Sequence, residues 1–180
     1  MTRYVALFRG INVGRAKRIA MADLRALLAS LGYRNVETLL NSGNAVFDAS
    51  TEAPAAIAKT IRKAVSGKLG VDALVIVKSA KEIADAVAGN KLAAIATDPS
   101  RFLVVFTQDA KSLAALNALT KGEWPGDILQ VGKNAAYAWC ANGLLESKLA
   151  IALLKGYGET CTTRNWATVG KIYAAMQDSA

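Results

Sequence analysis

The feature that most constrains the fold is the order in which strand-like and helix-like apolar runs alternate, because that order occurs twice. Tyr4 to Phe8 is almost continuously apolar, which predicts a strand buried on both faces. After a basic loop, Leu24, Leu27, Leu28 and Leu31 recur at the spacing of one helical face, and Gly32 supplies a left-handed stop. Val36 to Leu40 and Ala45 to Phe47 flank the turn-rich Asn41-Ser42-Gly43-Asn44, which predicts a hairpin. Pro54 sits in the first turn of a second helix bearing Ile57, Ile61, Val65 and Leu69, and Gly70 marks its end. Ala73 to Val77 follows as a buried strand. Strand, helix, strand, strand, helix, strand is a split β-α-β unit of ferredoxin-like type.

Ser79 and Glu82 form a capping box for a short helix ending near Gly89, and the breaker-rich stretch from Asn90 to Arg101 reads as a linker. Beyond it the order largely repeats. Phe102 to Phe106 predicts a strand, and Leu113, Leu116 and Leu119 a helix. Ile128 to Val131 and Ala135 to Trp139 predict two strands around Gly132-Lys133-Asn134, and Leu145, Leu149 and Leu153 a further helix. A last helix carries Trp166, Val169, Tyr173 and Met176 on one stripe, read as core packing. The expectation is an α+β chain, an α/β plait of two ferredoxin-like subdomains over residues 1–90 and 91–180, the second followed by a C-terminal helix.

Composition excludes several chemistries. The 180 residues contain no histidine, which removes serine-histidine and cysteine-histidine catalysis and histidine-ligated metal centres. The two cysteines, Cys140 and Cys161, cannot supply a four-thiolate zinc site and are expected to be reduced. The acidic residues show no clustered motif for magnesium. No metal and no cofactor is expected. No run of about 18 apolar residues is present, and no signal-peptide pattern precedes Tyr4, so a cytoplasmic location without a membrane is expected.

The net charge of +8 favours anionic partners. Arg3, Arg9, Arg15, Lys17 and Arg18 crowd the first 20 residues without an acid, whereas Lys59, Arg62 and Lys63 read as a solvated helix face. Arg9-Gly10-Ile11-Asn12-Val13-Gly14 follows a strand with glycines that permit close backbone approach, yet it is neither a dinucleotide fingerprint nor a P-loop. If Thr162 or Thr163 caps the last helix, Arg164 and Asn165 fall in its first turn. A cation is disfavoured there by about 0.3 to 1 kcal/mol, so it needs a bound anion or an ion pair with an acid such as Glu159 or Asp23. Ser147-Lys148 repeats the pattern one helix earlier, with Glu146 already offering negative charge.

Tyr4 to Gly14, Leu24 to Leu28, Asn41 to Phe47, Ser147 to Leu149 and Thr162 to Thr168 together resemble the bacterial family known as domain of unknown function 1697. The resemblance spans nearly the whole chain and implies two ferredoxin-like subdomains, but no activity. Its polar signature falls on Arg9, Gly10, Asn12, Gly14, Ser42, Gly43, Asn44, Ser147, Lys148, Thr163, Arg164, Asn165 and Thr168. Asn90 is followed by Lys91, where family members tend to have proline.

The leading expectation is a protein that holds a phosphate-bearing small molecule or nucleotide in a polar cleft between the subdomains. Arg9, Lys148 and Arg164 would supply charge; Asn12, Asn44 and Asn165 would orient the ligand, with Ser42, Ser147 and Thr163 as further donors. One alternative is a metal-independent enzyme using Lys148 as base or nucleophile, which requires that lysine to be partly buried. The other is a nucleic-acid-binding module using the basic Arg9 to Arg18 loop, although the aromatic-rich motif of RNA-binding sheets is missing. A third possibility gives the signature residues a purely structural role.

Overall fold

The computed structural model describes residues 1–177, which form two compact units. One comprises residues 1–81 together with the last helix from residue 171, and the other residues 82–170. The last helix is thus divided between the units, its residues from 171 belonging with the first. Two hydrogen bonds give the physical reason. Tyr137 donates to the Ala86 carbonyl, which ties the end of the short helix to the second unit. Arg3 Nε donates to the Ala175 carbonyl at 3.0 Å, which ties the last helix to the first.

In the first unit the elements run β1 (Thr2–Phe8), α1 (Met21–Ser30), β2 (Arg34–Leu39), β3 (Asn44–Ala49), α2 (Pro54–Leu69) and β4 (Val75–Ser79). The antiparallel sheet has the order β2-β3-β1-β4, as a split β-α-β unit requires. Its core places Tyr4, Ala6, Phe8, Ala45 and Phe47 of the sheet against Leu24 and Leu28 of α1 and Ile57, Ile61 and Val65 of α2. Val5 and Leu7 on the opposite face are fully buried too, in agreement with the continuous apolar run. Arg3 is buried and bonded to Asp48 at 3.2 Å, with Glu37 at 3.6 Å, so this member of the basic N-terminal set is already neutralised. Exposed Arg62 grips Asp72 through two bonds, which holds that carboxyl below its ordinary range, consistent with a solvated face on α2.

The second unit repeats the order. It begins within α3 (Ala80–Ala88) and continues through β5 (Phe102–Thr107), α4 (Ala110–Ala115), β6 (Ile128–Val131), β7 (Ala136–Trp139), α5 (Lys148–Gly156) and β8 (Cys161–Asn165). Its antiparallel sheet has the order β6-β7-β5-β8, the same as the first. α6 (Trp166–Gln177) closes the chain.

The structure corrects three expectations in this half. Leu145 lies outside α5 and is 93% exposed, so the leucine spacing overran the helix start at Ser147. The helix expected from Thr163 begins only at Trp166, because Cys161 and the β-branched Thr162 and Thr163 pair with β5 as a strand. Within α6, Val169, Ile172 and Met176 are buried, while Tyr173 is only half-buried.

Candidate functional site

The loop between β1 and α1 is built around Asn12. Its backbone is left-handed (φ 57°), a conformation that asparagine tolerates better than most residues. Its side-chain oxygen accepts from Ile19 N at 2.8 Å, and its amide donates to the carbonyls of Ile19 at 2.8 Å and Asn41 at 2.9 Å. Buried Ile11 and Ile19 anchor the loop from below. Asn12 therefore closes the loop onto the β2–β3 turn and has no donor left for a ligand.

The facing turn is fixed as tightly. Phe8 N donates to the Gly43 carbonyl at 2.9 Å, and Gly43 is left-handed (φ 84°) with room for no side chain: a Cβ would lie 2.6 Å from Ile11 Cδ1 and 2.8 Å from Phe8 Cβ. Buried Asn44 donates to the Leu39 carbonyl at 2.8 Å and to Ser42 Oγ at 3.2 Å. Asn44 is thus a turn-forming residue, whereas Ser42 is exposed. Arg9 is half-buried, and its backbone N donates to the Leu74 carbonyl at 2.9 Å.

These two segments enclose an open cavity of about 380 Å³ lined by Asn12, Arg18, Ile19, Ala20, Met21 and Asn41. Met21, the first residue of α1, is part of that lining. That helix starts without a cap: Ala20 precedes it in an extended conformation (φ −68°, ψ 135°) and has no side chain to bond the first-turn N–H groups. Arg18 Nη1 donates to the Gly14 carbonyl at 3.2 Å, and the guanidinium is otherwise exposed with Arg15 and Lys17 nearby in sequence. Among the described residues no carboxylate pairs with Arg15 or Arg18. Asp23 supplies the one acid of the first helical turn. A cationic side chain and unbonded N–H groups around one opening suit an anion.

The polar residues expected in the second unit are engaged differently. Buried Ser147 caps α5, accepting from Ala150 N at 2.9 Å and donating to Asp127 Oδ2 at 2.7 Å. Asp127 Oδ1 accepts from Ala141 N at 3.0 Å. This helix start therefore has a built-in carboxylate, the anion that Lys148 led us to expect from a ligand. Lys148 itself is exposed and lacks the burial that an activated lysine needs. The Cys140 thiol, beside Ser147 and Asp127, is raised above its ordinary pKa, chiefly by burial.

Arg164 lies in β8 opposite Val104, not in a helical turn. Its guanidinium is buried and donates to Thr162 Oγ1 at 2.9 Å and to the Thr163 carbonyl at 2.8 Å. Desolvation pushes its pKa down to about 10, so it is still a cation at neutral pH. Asn165 Oδ1 accepts from Thr168 N at 2.9 Å, which makes it the cap of α6 rather than a ligand-orienting group. Thr163 is half-buried in the same strand.

The structure thus joins Asn12 with Arg18, Met21 and Asn41, of which the sequence reading had singled out only Asn12 as a site residue. The signal for the others was legible: Ile19-Ala20-Met21-Ala22 opens a helix without Ser, Thr, Asp or Asn at the cap. Among the described residues no group of three His, Cys, Asp or Glu side chains could hold a metal, and no helix is long and apolar enough to cross a membrane.

A family model described as "Protein of unknown function (DUF1697)" matches residues 1–137, which include the whole Asn12 loop and the turn it clasps. The conserved bacterial protein SP0830 from Streptococcus pneumoniae has a similar solved structure. The TM-score is 0.81 over 97% of this chain and 98% of that one, and 24% sequence identity makes the likeness one of fold. No curated protein matches the chain.

Proposed function

The chain belongs to the DUF1697 family of proteins of unknown function, and because that membership brings no activity with it, we propose from the geometry that it binds a phosphate-bearing small molecule, a nucleotide among the candidates, at the start of α1. The observation that carries this reading is the cavity lined by Arg18, Asn12 and Asn41 over a helix start that has no cap of its own. The first-turn N–H groups would bond the phosphate oxygens, and the Arg18 guanidinium would pair with its charge. Asn12 would position these donors by holding the loop to Asn41, and it would not touch the ligand through its saturated amide. A volume of about 380 Å³ suits a small molecule.

Titration calorimetry with inorganic phosphate, a nucleoside monophosphate, a sugar phosphate and a short oligonucleotide, each at two salt concentrations, tests the reading. Binding of phosphate monoesters that disappears in Arg18→Ala and survives in Lys148→Ala is the expected result. No binding of any of them at millimolar concentration, or binding indifferent to Arg18→Ala, would overturn it. Binding confined to the oligonucleotide and falling steeply with salt would transfer the loop to nucleic acid.

A further inference from the structure

The two units share one repeat. In each sheet the first strand lies between the third and the fourth, and the fourth runs straight into a helix with no residue between them. Ser79 ends β4 and Ala80 begins α3; Asn165 ends β8 and Trp166 begins α6. Each half therefore carries one helix more than a split β-α-β unit requires. In both halves that closing helix leaves the unit whose strand it follows. The residues of α3 from Glu82 onward belong with the second unit, and those of α6 from Lys171 onward belong with the first.

The need for such a helix follows from the sheets. A split β-α-β unit sets both of its helices against one face, and an apolar second face must be covered by something else. In the first unit Tyr4, Ala6 and Phe8 meet α1 and α2, whereas Arg3, Val5 and Leu7 alternate to the opposite face, where Val5 and Leu7 are fully buried. From that face Arg3 Nε donates to the Ala175 carbonyl of α6 at 3.0 Å. In the second unit Leu103, Val105, Ala136 and Ala138 share a core with Leu113 of α4 and Leu149 and Leu153 of α5. Phe102, Val104, Phe106 and Tyr137 alternate to the opposite face and are buried there, with the rings of Phe102 and Tyr137 stacked. From that face the Tyr137 hydroxyl donates to the Ala86 carbonyl of α3. The end of α3 is seated closely, since a Cβ on Gly89 would lie 2.7 Å from the same hydroxyl. Ile83 and Ala86 of α3, and Ile172, Ala175 and Met176 of α6, are all buried.

We infer that the second face of each sheet is a binding surface for the closing helix of the other half, so that the two halves are partners in a helix-swapped pair carried on one chain. Exchange of a like element between two copies is how separate protomers form swapped dimers, and here both copies are covalently joined. Either half alone would leave an apolar sheet face bare and its own closing helix without a seat. The connection between the halves adds little to their association. Beyond buried Leu92, the residues Ala93, Ala94 and Ile95 are exposed. A cut there leaves α3 with the first half and α6 with the second, each still docked on the other's sheet.

The test inserts the recognition sequence of a site-specific protease between Ala94 and Ile95 and cuts the full-length chain after it has folded. Fragments 1–94 and 95–180 are expected to co-elute in gel filtration at micromolar concentration with the mass of the uncut chain, and to part in urea. The urea midpoint of the cut chain should rise with protein concentration, whereas that of the uncut chain should not. Tyr137→Phe keeps the ring and removes the bond to α3, so it should raise the dissociation constant of the cut pair about fivefold or more. Should the insertion prevent folding, the same site placed between Thr97 and Asp98 gives the same readout. Fragments that separate at micromolar concentration without urea would overturn the inference. So would a folded Tyr137→Phe pair that holds together as tightly as the original, because the halves would then be joined elsewhere.

Discussion

Ala20→Asp tests the helix-start site in two independent quantities. Ala20 already has the extended conformation of a capping residue, so an aspartate there can accept from the first-turn N–H groups without moving the backbone. Replacing an alanine cap by aspartate is worth about 1 kcal/mol, reduced by a few tenths because Asp23 sits in the same turn. The stabilisation also has a pH signature. A capping carboxylate has its folded pKa lowered, so its contribution is complete above the unfolded value near 3.9 and is lost as pH falls through the lower folded one. Urea unfolding should show the variant more stable than wild type by about 0.7 kcal/mol at pH 7 and equal to it near pH 2. The same carboxylate occupies the donors and repels an anion, so the variant should lose phosphate binding. At 100 times the dissociation constant, wild type should gain about 2.7 kcal/mol from ligand and the variant nothing. Ala20→Ser takes up donors without adding charge, and it should weaken binding less than aspartate does. An aspartate variant that is no more stable would refute the open helix start; one that is stabilised yet binds phosphate unchanged would refute the site.

Asn12→Ala removes three side-chain hydrogen bonds and places alanine at φ 57°, which together cost about 3 kcal/mol, whereas Asn12→Gly avoids the conformational part and should be milder by about 1 kcal/mol in urea unfolding. Gly43→Ala drives a methyl group into Ile11 and Phe8 at a left-handed position and should destabilise by about 3 kcal/mol or more, read from the loss of protected amides in β1 and β3. Ser147→Ala removes the cap of α5 and one bond to Asp127, for a loss of about 2 kcal/mol in thermal unfolding, while Lys148→Ala beside it should be nearly silent. Cys140 and Cys161 are both buried, and the raised Cys140 pKa lowers its thiolate fraction further; alkylation should be negligible in the native chain and complete in denaturant.

The architecture was legible because each sheet-forming run is short, apolar and punctuated. Tyr4 to Phe8 and Phe102 to Phe106 are central strands buried on both faces, and their sequences leave little else for them to be. The boundaries that failed did so where local pattern and tertiary pairing compete. Cys161 to Asn165 reads as a helix lead-in because of its hydroxyls and asparagine, yet β5 needs an antiparallel neighbour, and three β-branched or sulfur-bearing residues in a row accept that role. Leu145 matches the period of Leu149 and Leu153, but Ser147 meets Asp127 across 20 residues of sequence, and no local spacing encodes that bond. The site was half legible. Polar and charged residues stand out in a sequence, so Arg164, Asn44 and Asn165 drew attention although each makes bonds within its own turn, strand or cap. Ala20 drew none, because what it contributes is a missing hydrogen bond.

How each helix start is satisfied explains why a charge of +8 need not be spread evenly as binding potential. α4 is capped by Asp109, α5 by Ser147 backed by Asp127, and α6 by Asn165. α2 lacks a side-chain cap, but Pro54 removes one of its donors and Glu52 stands just ahead of it. The cations follow the same pattern: Arg3 is bonded to Asp48, Arg62 to Asp72 and Arg101 to Asp98. At α1 both provisions are left open, with no cap at Ala20 and, among the described residues, no carboxylate on Arg15 or Arg18. A bound anion would complete both at once, and the Asn12 clasp holds the loop in the shape that leaves room for it.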